Sequence, residues 1–536
     1  MFIFRRMFKF AAVAAAACVI AACSGDKDKN TLPSKGNMIP DDAMIAMKVD
    51  FDQLWNKALG DQDSDVRSYW NMGKSMLSMS AGELGEMGDV VKQIVKDPST
   101  SGLCVDEPMV VSFAADIKDV NFEEFDVDVC LVALLDDSNA FVKVADAFMA
   151  VANEEGELGM TKEIVSDSYT YYSCPVEEDV TLDLGVFAEA AVLRLKANTI
   201  SQNQGLKENM LELFADGGPD NTEGLDAFYA SNGDMALWLD FETVLDMALP
   251  ILENENPGVT AQLEAYMPMY ENASMVSELT FKDGQTVLQF MIFGSEEMKK
   301  YGQKFNAVSS DKFFQYIPRT SAMVMNFAFA DMPGLVEEFS KMGPDYAEAI
   351  ELLKENLGID EELLAGLPGV ITLALSVNSV DQDVTPGIYF IMDCKENVWE
   401  FAKTYLDMYA EDCGNDTYVI EDMCVITYNN DTLYAMDMAS YNDGEVYDSF
   451  LNSPHAKDIA KGGFVFDLAA FPEDILDSLA EEFDYEMSGS ELLEYVSSVV
   501  VTVSDDHMTS TLEVNMDDKE HNLLEKLVLY VISSAF

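Results

Sequence analysis

The chain has 536 residues, 49% of them hydrophobic, enough apolar material at roughly 150 residues per domain for two to four packed cores. That excludes an intrinsically disordered chain. Its 32 Lys and Arg stand against 97 Asp and Glu, a formal charge of −65, which repels a nucleic-acid backbone and excludes DNA or RNA as a partner.

Arg5, Arg6 and Lys9 form a basic start, and an apolar run follows over residues 10–22. The run is too short to span a bilayer, so residues 1–22 read as a signal peptide. It ends Ile20-Ala21-Ala22-Cys23, which resembles the lipobox of bacterial lipoproteins: an aliphatic residue, two small ones, then a cysteine whose sulfur takes the lipid. Cys18 has Ala15 three places before it and no polar segment after it, so Cys23 is the expected lipidation site. The polar stretch 24–30, with Pro33, Ser34 and Gly36 beyond it, reads as a tether over residues 23–37. An acidic, Lys-bearing segment at this place resembles the surface-export signal of Bacteroidota lipoproteins. The expected address is therefore the outer membrane, facing the cell surface or the periplasm, with the membrane as a partner through the lipid anchor.

Beyond the tether, many segments come in similar pairs. Met38-Ile39-Pro40 returns as Tyr316-Ile317-Pro318, each before an extended segment, and Asp52 and Asp331 stand where a helix would begin, as N-caps. The apolar strand 109–113 resembles 370–375, and 130–135 resembles 388–392. Each second strand meets an acidic turn and then a helix. The helical faces are Phe141, Val144, Ala145, Phe148 and Ala152 in one, and Trp399, Ala402, Leu406 and Tyr409 in the other. Asn397 and Glu400 have the spacing of a capping box. Residues 201–224, polar and Gly-rich, read as an insertion in the first half. Gly233 to Asp240 resembles Gly462 to Asp467, and the hairpin with Asp283-Gly284 lies on the one with Asp505-Asp506. The order of elements is kept, so the expected fold class is α+β: two tandemly duplicated mixed α/β domains with largely antiparallel sheets, over residues 38–305 and 316–536.

With lipobox, tether, Ile-Pro motif and duplicated plan together, the whole mature chain resembles a family of Bacteroidota outer-membrane or surface lipoproteins defined as a domain of unknown function. The resemblance implies a compartment and an architecture. It implies no catalytic residues.

No local signature of chemistry stands out. Asp505-Asp506-His507 falls at a hairpin turn. The other histidines are His455, after Pro454, and His521, at the start of the last helix; with no histidine before residue 455, a multi-His zinc site in both halves is excluded. Gly60 to Asp65 offers spaced carboxylates but has Met72 where a calcium loop needs a bidentate Glu. No nucleophile elbow, zincin, Cys-x-x-Cys or phosphate-loop motif occurs. Trp238 and Trp399 lie at apolar-periodic positions and read as core, and the methionines between Met72 and Met79 as helix-face packing, with a recognition groove as the alternative. Six cysteines follow Cys23. Cys130, inside an apolar strand, reads as a buried thiol, and Cys413 and Cys424 are the pair proposed for a disulfide. We therefore assign no catalytic, cofactor-binding or metal residue and no cofactor. The reading leans away from an enzyme: a lipid-anchored envelope protein acting as a binding or structural module for a protein or glycan, with a carboxylate-dependent hydrolase of glycan or peptide as the alternative.

Overall fold

The computed structural model describes residues 37–535 apart from several stretches, the longest lying within 199–221, 256–268, 300–309, 329–368 and 472–494. Two compact units share the chain. The first takes the residues up to 260, then 270–281 and 521–536, and the second takes 261–269 and 282–520.

The first unit contains β1 (Ile45–Val49), β2 (Met109–Ile117), β3 (Phe125–Leu134), β4 (Thr161–Val165), β5 (Tyr169–Glu177), β6 (Val180–Val186), β7 (Ala190–Asn198), β8 (Met235–Asp240) and β9 (Ser274–Lys282). Its helices are α1 (Phe51–Leu59), α2 (Asp65–Ser80), α3 (Gly85–Lys96), α4 (Ser138–Glu154), α5 (Thr222–Ala230), α6 (Phe241–Glu255) and the C-terminal helix (Leu523–Ala535). Hydrogen-bonded neighbours run β9-β8-β1-β2-β3-β7-β6-β5-β4, every pair antiparallel. Because side chains alternate along a strand, one sheet face gathers Met109, Ala133, Tyr172, Val186 and Ala191 under Phe141, Val142, Ala145 and Met149 of α4.

The opposite face lies under α5 and the buried residues Met210 and Phe214. Gly185 is glycine because the sulfur of Met210 occupies the space a Cβ would need. Lys48, on the interior strand β1 and 5% exposed, donates from Nζ to the carbonyls of Phe228 (2.8 Å), Tyr229 (3.2 Å) and Ser231 (2.7 Å). These carbonyls lie at and just beyond the end of α5, at the negative pole of its dipole, and that of Phe228 also accepts from the Ser231 amide. The segment 201–224, read as an insertion, thus supplies Met210 and Phe214 to the core.

The second unit contains β10 (Gln285–Phe293), β11 (Ser321–Ala328), β12 (Val370–Val380), β13 (Asp383–Asp393), β14 (Glu411–Gly414), β15 (Thr417–Ile420), β16 (Cys424–Asn429), β17 (Thr432–Asp437), β18 (Gly463–Asp467), β19 (Val496–Val503) and β20 (Thr509–Met516). With them come α7 (Glu396–Tyr409), α8 (Met438–Asp443) and α9 (Ala456–Ile459). The neighbour order is β10-β20-β19-β18-β11-β12-β13-β17-β16-β15-β14, again antiparallel throughout. Phe314, Ile317, Val324, Ile391, Phe450 and Ile459 centre its core. Asn326, fully buried, reaches the carbonyls of Ser310, Ile459 and Ala460 and accepts from the Thr372 hydroxyl at 2.8 Å. Asn415-Asp416 and Asn430-Asp431, all at φ between 51° and 58°, make the tight turns that join β14 to β15 and β16 to β17.

The expected fold class is corrected by this architecture. Among the described residues, twenty strands and ten α-helices make a mostly-β protein. What fails is the expected α+β balance of helix and strand. The Tyr-, Thr- and Val-rich stretches after α4 and α7 add whole runs of hairpin-linked strands. The compact units also interleave, the last helix returning to the first unit while β10 belongs to the second. Caps shift as well. Asp50, not Asp52, accepts from the Gln53 amide in front of α1, and Asp137 accepts from Asn139 and Ala140 in front of α4. Lys395, without a capping side-chain bond, precedes α7, so Asn397 is inside the helix. Asp331 lies outside the described residues.

Replacing Lys48 by Met keeps the apolar stem and removes the donor from one buried and two partly buried carbonyls. The substitution is expected to lower the first unit's stability by about 2–3 kcal/mol, read as a lower urea midpoint with unchanged slope; an unmoved midpoint would show that water serves those carbonyls equally well.

Candidate functional site

Two features of the first unit carry unusual chemistry. The first is inside the sheet. Ser112, Cys130, Arg194 and Asp183 stand side by side across β2, β3, β7 and β6, and Asp128, Lys196 and Thr181 stand side by side across β3, β7 and β6. All share one face. Arg194 Nε donates to Asp128 Oδ2 at 2.6 Å, and the guanidinium Nη2 pairs with the same oxygen. Lys196 pairs with Asp126 at 3.2 Å. Asp183 is fully buried and accepts from the Tyr171 hydroxyl at 2.7 Å. Burial first, and then that bond, pushes the Tyr171 phenol well above its usual range.

Four atoms of this patch, Asp128 Oδ1, Thr181 Oγ1, Asp183 Oδ2 and Arg194 Nη1, are buried and have no hydrogen-bond partner among the described residues. Each such atom costs about 1–3 kcal/mol, so the patch is held at the expense of stability. Cys130, in its midst, is a poor nucleophile: burial, and after it the Asp128 carboxylate, drives the thiol far above its ordinary value. The arrangement stores charge inside a sheet and shows no nucleophile held by a base.

The second feature is on the surface. Ser64 caps α2, its side chain accepting from the Arg67 amide, and the inner face of the helix carries Val66 and Trp70. Trp70 meets Trp55 of α1 edge to face at 4.4 Å. The other face carries Tyr69, Met72, Met76 and Met79, spaced three, four and three apart, which puts them in one stripe. Their exposures are 42, 48, 59 and 72%. Beside the stripe an open groove between α2 and α3 is lined by Asn71, Lys74, Ser75, Ser78, Val95 and Lys96. The Lys74 ammonium lies 5.8 Å from the Trp70 ring centre. Neither Lys74 nor Lys96 has a carboxylate partner among the described residues.

The residues singled out in the sequence fall elsewhere. Cys23, residues 61–63 and residues 505–507 lie outside the described residues. His455 is half-buried just before α9, and His521 is half-buried just before the C-terminal helix. Trp238 and Trp399 are buried, and Trp399 Nε1 donates to Asp416 at 3.1 Å. All six described cysteines are free thiols. Cys413, exposed on β14, and Cys424, on β16, are not brought together, because β15 runs between their strands. Sequence reasoning missed the buried patch. Its signal was present as ionisable residues at alternate positions of apolar strands: Asp126 and Asp128, Asp183, Arg194 and Lys196. Among the described residues no three His, Cys, Asp or Glu are placed to hold a metal ion.

Fold and site together define a class of antiparallel, strand-dominated protein with a charged patch inside one sheet and a methionine-rich helix face exposed on the surface. The chain belongs to the family described as Domain of unknown function (DUF4836), whose profile matches residues 35–524. No curated protein and no solved structure matches the chain.

If the patch is held together by its ion pair, Arg194→Met leaves Asp128 charged, buried and uncompensated. The expected loss is about 3–5 kcal/mol, whereas Arg194→Met combined with Asp128→Leu should recover most of it. Thermal unfolding of the three proteins checks this, and equal losses in the single and double variants would show that packing, not charge, matters here.

Proposed function

We propose that this is a lipid-anchored protein of the bacterial cell envelope that works by binding rather than by catalysis, using the α2 face as its contact surface. The observation that carries the reading is the stripe of Tyr69, Met72, Met76 and Met79. Large apolar side chains aligned on one exposed helix face favour a contact, and methionine adapts to whatever surface it meets. The carboxylates inside the sheet support binding over hydrolysis, since Asp128 is engaged by Arg194 and Asp183 by Tyr171. The anchor rests on Ile20-Ala21-Ala22-Cys23. It does not rest on a membrane span: among the described residues no helix is long and apolar enough to cross a bilayer. An outer-membrane site facing the surface or the periplasm fits such an anchor.

Fractionation of cells expressing Cys23→Ala tests the anchor. The variant should leave the membrane fraction or remain unprocessed; a variant that is cleaved and partitions like the wild type would remove the lipid from the proposal. The binding half predicts no turnover on panels of glycan, ester and peptide substrates, and hydrolysis abolished by one Asp or Glu substitution would replace it with an enzyme.

A further inference from the structure

We propose that Asn232 is a modification site, at which the folded chain deamidates and isomerises an exposed asparagine to isoaspartate with water as the only co-reactant. The inference concerns the turn from α5 to β8 and stands apart from the binding reading above.

The residue pair is the first observation. Asn232 is followed by Gly233, and no other asparagine in the chain precedes a glycine. The chemistry favours that order, because the backbone nitrogen of the next residue attacks the asparagine Cγ, and glycine brings no side chain into its path and the widest choice of φ and ψ. The fold also imposes the pair. A Cβ at position 233 would stand 2.3 Å from Glu278 Cγ and 2.9 Å from the Leu279 carbonyl oxygen, so β9 disfavours any larger residue there. The state of the two reacting groups is the second observation. Asn232 is exposed and lies outside helix and strand. Among the described residues neither its side chain nor the Gly233 amide has a hydrogen-bond partner. Neither the attacking nitrogen nor the amide it attacks is held by a bond that would have to break.

In the reaction the Gly233 nitrogen gives its proton to solvent and bonds Asn232 Cγ, and the side-chain nitrogen leaves as ammonia, closing a cyclic imide. Water then opens the ring. Opening at the former side-chain carbonyl gives aspartate; opening at the main-chain carbonyl gives isoaspartate, whose backbone runs through Cβ and is longer by a methylene. That change falls between two anchors. On one side the Ser231 carbonyl accepts from Lys48 Nζ at 2.7 Å. On the other, the fully buried Asp234 accepts from Lys57 Nζ at 2.7 Å and from the Phe281 amide at 2.6 Å, and its carbonyl accepts from the Asp50 amide at 2.9 Å. Only Asn232 and Gly233 separate these anchors, so the added methylene loosens one of them.

The test uses the full mature chain, residues 23–536, incubated folded in neutral and in mildly alkaline buffer, with a sample in urea as reference. Peptide mapping, with fragmentation that separates isoaspartate from aspartate, should find Asn232 converted ahead of every other asparagine in the folded chain. Conversion should be faster in the alkaline buffer, because the attacking amide must lose its proton. Glutamine keeps the side-chain amide but would have to close a larger ring, so Asn232→Gln should lose the conversion at this position. Asn232→Ser, which has no amide, should lose it too. Since the side chain is exposed, both variants should begin with the wild-type urea midpoint. On incubation the wild-type midpoint should then fall while those of the variants hold. Conversion of Asn232 in urea but not in the folded chain overturns the inference, because the fold then keeps nitrogen and Cγ apart. An equal fall of the midpoint in wild type and variants overturns it as well, since the change that loosens the anchors then lies elsewhere.

Discussion

The first unit depends on how Lys48 is used. β1 has β2 on one side and β8 on the other, so its backbone groups are committed to the ladder and only its side chains can meet what covers the sheet. The cover is α5, whose last turn presents carbonyls to this face of the sheet. A buried ammonium satisfies three of them at once, at the end of the helix where positive charge is favoured, and it is itself stable there only because all three accept. Neither α5 nor Lys48 could be buried alone. The Phe228 ring, 5.6 Å from Nζ at its centroid, closes the site. In the second unit Asn326 meets the carbonyls at the end of α9 with a neutral amide. That exchange of a cation for an amide fits the cover, since α9 has four residues and a correspondingly small dipole.

Charge is placed differently on the two covered faces. In the second unit the buried face is apolar around Asn326, Thr372 and Ser376, whereas in the first it holds Lys48, Asp128, Asp183 and Arg194. Filling a sheet face with apolar side chains would be more stable than pairing charges there, so the patch is not explained by stability. What ion pairs inside a sheet do supply is register. A one-residue slip of β7 against β3 would turn Arg194 to the face that packs on α4 and leave Asp128 alone. With apolar residues at nearly every other position of these strands, register would otherwise be weakly fixed.

Much of the strand map was legible. Alternation and apolar runs located β2, β3, β12 and β13, and the β-hairpin turn signals were sound where Gly284 takes φ of 71°. Trp238 and Trp399 proved to be core, as their spacing required. The balance of helix and strand was not legible, because Thr161–Val165 and Glu411–Gly414 are exposed edge strands with no apolar pattern of their own; they are strands only because a neighbour offers its edge. The similar segments were informative only locally. They reported a like order of elements but could not report that the last helix packs back on α1, where the Asn522 amide donates to the Lys57 carbonyl at 3.0 Å. Contacts across more than four hundred residues leave no trace in local periodicity. The α2 stripe was visible as a run of methionines, yet packing and exposure predict the same spacing. Only the placement of Trp70 against Trp55 shows which face turns inward.

The acidic excess is partly structural. Asp50, Asp97, Asp137, Asp240, Asp437 and Asp467 each accept from backbone amides at the start of a helix or turn, where a carboxylate both satisfies an orphan donor and meets the positive end of the dipole. Desolvation raises the carboxyls of Asp240 and Asp467 against those amides, while in Asp437 the bonds from Ser440 and the Ile388 amide outweigh burial and lower it. Caps of this kind recur wherever a strand turns into a helix, and in a strand-rich chain such junctions are many.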